Sequence, residues 1–171
     1  IHPRKNILQL LKSFSQFKKW QQSNMKLVIA GRLAWQSEIF IEKLKSYKYR
    51  NDVVLTGYIN DNTLADLMGS AYALVYPSLF EGFGVPIIEA MQSGTPVITS
   101  NTSSMPEVGG DAVLYANPND VDELAKQMML IYKDENLRSN LIEKGLIRSK
   151  QFSWDASAEE LWKKIEIITK K

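Results

Sequence analysis

The chain contains no cysteine and a single histidine, His2. The first absence excludes a disulfide framework and any thiolate metal site. A lone imidazole cannot build a histidine-rich metal centre. Charge of one sign is scarce as well: 21 Lys and Arg against 19 Asp and Glu leave a net +2. No basic run exceeds a few residues, so no nucleic-acid partner is expected. No apolar stretch approaches the ~20 residues that span a bilayer, and no secretion signal is legible, so the expected compartment is the cytoplasm. There is no internal repeat and no low-complexity linker. What is present is one ordinary domain of 171 residues, 44% of them hydrophobic, enough for a sizeable core.

Short apolar runs alternate with amphipathic ones. Residues 26–31, 53–57, 73–76, 96–99 and 112–115 are β-branched, continuous in their hydrophobicity and mostly followed by Gly or Pro. Such runs predict parallel strands covered on both faces. Helical spacing links Ile7, Leu8, Leu11 and Phe14, then Ile39, Phe40 and Leu44, then Leu64, Leu67 and Met68. After the last strand the pattern is helical throughout, through Leu124, Met128 and Ile131, then Leu137, Leu141 and Ile142. Alternation of this kind predicts an α/β fold: a Rossmann-like, doubly wound parallel sheet with helices on both faces. The chain opens on Ile1-His2-Pro3-Arg4-Lys5-Asn6 and runs into a helix with no strand before it, so the sheet is expected to lack its first strand. A terminal helix over 154–170 is expected to want a partner surface for Trp162, Ile165 and Ile168.

In open α/β sheets ligands bind outside the carboxyl ends of the strands. The loop there with the most chemistry is SLFEGFGVPIIEAMQSGTPVITS, residues 78–100. Pro86 suits the first turn of a helix, and Gly94 followed by Pro96 ends one. Gly82-Phe83-Gly84 then leads into a helix N-terminus, whose free N–H groups and partial positive charge suit a phosphate. Glu89, one turn into the helix, has two acceptor oxygens suited to a ribose diol, and Glu81 precedes the glycines where another polyol would reach it. Tight strand-to-helix turns also use glycine for steric reasons alone. The coincidence of two carboxylates, the glycines and a proline at one strand end favours a ligand site.

The run Pro77 to Met91, with Gly94-Thr95-Pro96-Val97-Ile98, resembles the signature of the group 1 (family 4) retaining glycosyltransferases. Pro3-Arg4-Lys5-Asn6, Val54 to Ile59, Pro106 to Ala112 and Phe152-Ser153-Trp154 agree with it. The resemblance covers essentially the whole chain. It implies the C-terminal, donor-binding half of a GT-B fold, with residues 1–171 as that domain and the helix 154–170 turned back toward an N-terminal, acceptor-binding domain of the same protein. By the same resemblance the strand usually found before the position of Ile1 is the central one. Lys5 and Arg4 are implied to neutralise the departing diphosphate, with Glu81 beside them in the catalytic set. Glu89 is implied to hold the ribose, Gly82, Phe83, Gly84 and Val85 the transferred sugar, and Tyr58 and Ile59 the base. The implied activity is metal-independent transfer, with retention, from a UDP- or GDP-sugar to a glycan or lipid-linked acceptor, of mannosyltransferase type and used in polysaccharide biosynthesis. No cofactor is expected, and this domain alone is expected to be inactive. Peripheral membrane association at the inner face of the cell membrane is a further implication, assigned to the other half. A sugar-nucleotide epimerase and a non-catalytic nucleotide-binding module are the alternatives.

Lesser signals have plain structural readings. Asp120-Val121-Asp122 spells a metal-binding Asp-x-Asp pattern, but its place at a helix start favours capping. Ser104-Met105-Pro106-Glu107 reads as a capping box. Asn101-Thr102-Ser103 is a glycosylation sequon in spelling only. His2 reads as a loop or capping residue, Arg32 as a strand-end arginine within reach of the cleft or solvated, and Trp20, Trp35, Trp154 and Trp162 as packing groups.

Overall fold

The computed structural model describes residues 2–32 and 37–169. Trp35 and residue 170 of the expected terminal helix lie outside the described residues. In chain order a 3-10 helix (Pro3–Lys5) is followed by α1 (Ile7–Trp20), β1 (Leu27–Ala30), α2 (Glu38–Lys45), a 3-10 turn (Arg50–Asp52), β2 (Val53–Gly57), α3 (Asp61–Ser70), β3 (Leu74–Tyr76) and α4 (Val85–Gln92). Then come β4 (Val97–Ser100), α5 (Met105–Gly109), β5 (Leu114–Ala116), α6 (Val121–Lys133), α7 (Glu135–Ser149) and α8 (Trp154–Thr169). Every strand pairing is parallel, and helices lie on both faces, as the alternation predicts.

The sheet is interrupted. β1 pairs with β2, and β3–β4–β5 form a second ladder, with no pairing between β1 and β3. Among the described residues no strand bridges the two ladders, so the sheet is incomplete, as expected. The two halves still share one hydrophobic core. Leu10, Leu11, Phe14 and Phe17 of α1 meet Ile29, Phe40, Leu44, Val53, Ile98 and, from α6, Leu124, Met128 and Ile131. The other face buries Met68, Ile87, Ile88, Met91, Val97, Met105 and Val108. β4 links the two: Val97 and Ile98, adjacent and both fully buried, point to opposite cores because strand side chains alternate.

Coverage on both faces holds for β4 but not for β1 and β2. Val28 and Val54 are 39% and 44% exposed, a correction to the sequence expectation. The cause is topological: α1 and α2 cover one face of this pair, while α3 packs on α4. The fifth strand also starts later than residue 112, because Ala112 and Val113 turn inward to fill the core beneath α5. The tryptophans differ too. Trp20, Trp154 and Trp162 are 43%, 85% and 62% exposed, and α8 buries none of its residues. It leaves the body after Phe152, and none of the described elements covers its apolar side. No helix among the described residues is long and apolar enough to cross a membrane.

Candidate functional site

The carboxyl edge of the second ladder is organised around Glu81. The 3-10 helix Pro3–Lys5 is capped by His2, whose Nδ1 accepts the Arg4 N–H at 3.2 Å. Asn6 then adopts the left-handed region (φ 59), which Asn tolerates better than most residues. Its Nδ2 donates to the Pro77 carbonyl at 3.1 Å and the Pro118 carbonyl at 2.7 Å, and the Leu79 N–H donates to the Arg4 carbonyl at 2.8 Å. The chain's first residues are thereby pinned against the loop that follows β3.

This places Lys5 Nζ 2.7 Å from Glu81 Oε1 and brings an Arg4 guanidinium nitrogen onto Oε2. Lys5 also donates to the Tyr76 hydroxyl at 2.5 Å and lies over that ring, 4.7 Å from its centroid. The Glu81 side chain is 8% exposed against 46% and 28% for Arg4 and Lys5, so the carboxylate is the buried anchor and the cations face outward. Burial alone would raise the Glu81 carboxyl. Hydrogen bonds from its neighbours, Lys5 and Arg4 among them, outweigh burial and hold it at about 2. Tyr76 behaves oppositely: burial pushes its phenol up further than Lys5 draws it down.

The Glu81 loop is also fixed from the far side. Ser103 takes the left-handed region (φ 57); its hydroxyl donates to the Glu81 carbonyl at 2.6 Å and accepts the Glu81 N–H at 3.3 Å. Ser104 donates to the same carbonyl at 3.1 Å, and Thr102 to the Leu79 carbonyl at 3.2 Å. Ser104 is therefore not the head of a capping box: it precedes α5 in a helical conformation, without a capping bond, because its hydroxyl is committed to Glu81. Tyr76 is not among the residues the sequence offers for the site, and Ser103 and Ser104 enter only as members of a strand-end loop, 100–104, with no role of their own. The cluster of hydroxyls at 100–104, beyond a strand end, was the only signal for the two serines.

Gly84 caps α4 with φ 105, so the helix starts on a residue that side chains disfavour. The Phe83, Gly84 and Val85 amides carry no hydrogen bond among the described residues, and Pro86 has no N–H, so this terminus presents open donors. Phe83, half-exposed, is braced by Phe152 in an edge contact with centroids 5.9 Å apart. A Cβ added at Gly84 would sit 3.3 Å from Ile87 Cδ1 in a strained backbone. Gly84→Ala is expected to cost about 1–2 kcal/mol, read as a lowered urea midpoint; an unchanged midpoint would show that the turn relaxes freely.

Glu89 lies on the half-buried side of α4, and its carboxylate forms no ion pair or hydrogen bond among the described residues. It follows Gly84 by five positions on the one helix, while Glu81 lies across the turn. The structure thus brings Arg4, Lys5 and Glu81 together, with Gly82, Phe83, Gly84 and Val85 as the adjoining turn and Glu89 behind it. Tyr58 and Ile59 follow β2 at the carboxyl edge of the other ladder; Tyr58 is 67% exposed, with the Arg32 guanidinium over its ring at 4.5 Å. Asp120 caps α6, its Oδ1 accepting the Asp122 and Glu123 N–H groups, each at 2.9 Å.

Known proteins share this architecture and sequence. The O-antigen chain mannosyltransferase B of Escherichia coli is 37% identical over 155 residues, which cover 91% of this chain and 41% of that protein. The MMP alpha-(1->4)-mannosyltransferase of Mycolicibacterium hassiacum is 31% identical over 163 residues, 92% of this chain and 39% of that protein. The chain thus spans about two fifths of the length of these curated relatives. Among solved structures, sucrose-phosphate synthase from Thermosynechococcus elongatus superposes with a TM-score of 0.87 at 27% identity, covering 98% of this chain and 43% of that one. Anabaena HepE, solved in complex with UDP and glucose, has a TM-score of 0.85 at 20% identity, over 97% of this chain and 46% of that one, a likeness of fold. The family model described as Glycosyl transferases group 1 matches residues 1–148, and the chain belongs to that family.

Proposed function

We propose that this chain is the nucleotide-sugar-binding half of a retaining, metal-independent glycosyltransferase that moves a mannose-type hexose from a UDP- or GDP-sugar to a growing glycan or lipid-linked acceptor. One observation carries the reading: two outward cations held by a buried carboxylate lie beside a helix start with open amides, with a carboxylate on the same helix that is unpaired among the described residues. The names of the curated relatives support the mannosyl part, and the UDP complex of Anabaena HepE supports a nucleotide donor.

Each residue then has a chemical task. Cleaving the bond between sugar and diphosphate builds negative charge on the leaving oxygens, which fixed cations stabilise more as the charge grows. Arg4 and Lys5 supply them, pre-positioned by Glu81. The Phe83, Gly84 and Val85 amides face sugar oxygens, with Gly82 leaving room for the ligand to approach, and Glu81 adds its remaining acceptor capacity. Glu89 accepts the ribose hydroxyls, and Tyr58 and Ile59 border the base. The charge on the leaving group is met by side chains, so the reaction needs no cofactor. The acceptor belongs to an N-terminal domain of the same protein, toward which α8 turns its apolar side.

Calorimetry with GDP-mannose and UDP-glucose tests the reading. Saturable binding of at least one, weakened by Glu89→Ala, is expected; no binding of either, with Glu89→Ala without effect, overturns it. Residues 1–171 alone are expected to show no transfer, and turnover by them would remove the need for a separate acceptor half.

A further inference from the structure

Tyr76 is half-buried at the carboxyl end of β3, and its ring packs against the second core. The sheet fixes its backbone. Tyr76 is in register with Thr99 of β4, and the fully buried Thr99 hydroxyl donates to the Tyr76 carbonyl at 2.9 Å. The phenol is therefore carried by a strand, whereas Glu81 sits on the loop beyond it, and a strand holds a group more firmly than a loop.

The hydroxyl ends on Lys5. An ammonium has three N–H donors. Lys5 gives one to Glu81 Oε1 at 2.7 Å and one to the Tyr76 hydroxyl at 2.5 Å, and the third has no partner among the described residues. The Tyr76 ring supports the same nitrogen, 4.7 Å from its centroid. Arg4 has no such seat: its guanidinium meets Glu81 and, at 3.4 Å, the Phe80 carbonyl, and its side chain is the more exposed of the two.

The choice of a phenol has an electrostatic consequence. Two cations already share one carboxylate, which leaves one positive charge for a ligand. A second carboxylate could hold Lys5 as firmly, but it would cancel that charge. Burial pushes the Tyr76 phenol above its ordinary value, so the group is neutral at neutral pH. It restrains the flexible lysine stem and leaves the charge in place.

We propose that Tyr76 is a positioning residue for sugar transfer: its hydroxyl and ring seat the Lys5 ammonium so that the third N–H meets the diphosphate as the sugar departs. This role rests on the donor-site reading above, and Tyr76 acts through Lys5 and not on the ligand. The terminal phosphate of a free nucleoside diphosphate carries more negative charge than the same phosphate esterified to a sugar. A fixed cation favours the leaving group over the intact donor, and that difference lowers the barrier. A cation free to wander loses the difference first.

Calorimetry on the 171-residue chain with GDP and UDP, each beside its sugar conjugate, GDP-mannose or UDP-glucose, measures that difference directly. Tyr76→Phe keeps the ring and removes the hydroxyl. It should weaken the free diphosphate about tenfold, the worth of a hydrogen bond to a charged group, and the nucleotide-sugar only about twofold. In a Lys5→Met background the same change should add nothing, while in an Arg4→Met background the tenfold loss should persist. Tyr115→Phe removes the hydroxyl of another half-buried strand tyrosine, bonded to the Gly110 carbonyl at 2.8 Å, and should change neither affinity. Ammonium NMR of the parent needs no Tyr76 variant: a slowly exchanging Nζ signal that disappears in Lys5→Met is expected. With ligand binding by the parent intact, the proposal is overturned by an unchanged Tyr76→Phe, by equal losses for diphosphate and nucleotide-sugar, by an undiminished effect in the Lys5→Met background, or by absence of the ammonium signal. A parent that binds none of the four ligands overturns the donor-site reading itself, and the role of Tyr76 with it.

Discussion

Glu81→Gln is expected to lower the stability of the domain by about 2–3 kcal/mol at neutral pH, and the deficit should vanish in acid. The folded Glu81 carboxyl titrates at about 2 against an ordinary value of 4.5. On acidification the unfolded chain takes up its proton first. The stabilisation from ionised Glu81 is therefore complete above about pH 4.5 and is lost as pH falls toward 2. The shift sets an upper limit of about 3 kcal/mol. The half-exposure of Arg4 lowers the actual value, since water takes over part of the lost pairing. Urea melts of both proteins across this range would give the gap directly. Asp52 and Asp111, also held below their ordinary values by lysines, are common to both and cancel in the difference. A gap independent of pH would mean that glutamine disturbs packing instead of removing a charge.

Glu89→Ala should behave in the opposite way. Its carboxylate has no ion pair or hydrogen bond among the described residues, so stability should stay within about 0.5 kcal/mol of the parent. Binding of the nucleotide-sugar should weaken about tenfold to a hundredfold, the usual worth of a hydrogen-bonded charged group. Calorimetry and a melting curve on one sample separate the two effects. A substantial loss of stability would assign Glu89 to the fold, and unchanged affinity would remove it from the site. The pair of variants is informative together: one glutamate is built into the protein, and the other is left open for something else.

That distinction was not legible in the sequence. Both glutamates flank the same glycines, and spacing alone offered each of them to a ligand. What separates them is that Arg4 and Lys5, more than 70 residues earlier, are pinned beside Glu81 by Asn6 and by the Arg4 carbonyl, while nothing comparable among the described residues reaches Glu89. The serine brace was hidden for the same reason. Ser104 precedes Met105-Pro106-Glu107 in a spelling that predicts a cap, yet a tertiary acceptor, the Glu81 carbonyl, takes its hydroxyl. The exposed tryptophans likewise show that aromatic content does not say which faces find partners.

The sequence by itself determined the alternation of strand and helix, the parallel sheet that follows from it, and the position of the 78–100 loop at a strand's carboxyl end. These are local properties of periodicity, glycine and proline, and they act over a few residues. Only the tertiary structure decided which carboxylate is buried and paired and which hydroxyls brace the loop. Those depend on the direction of whole helices and on desolvation, and both exist only once distant segments have packed against one another.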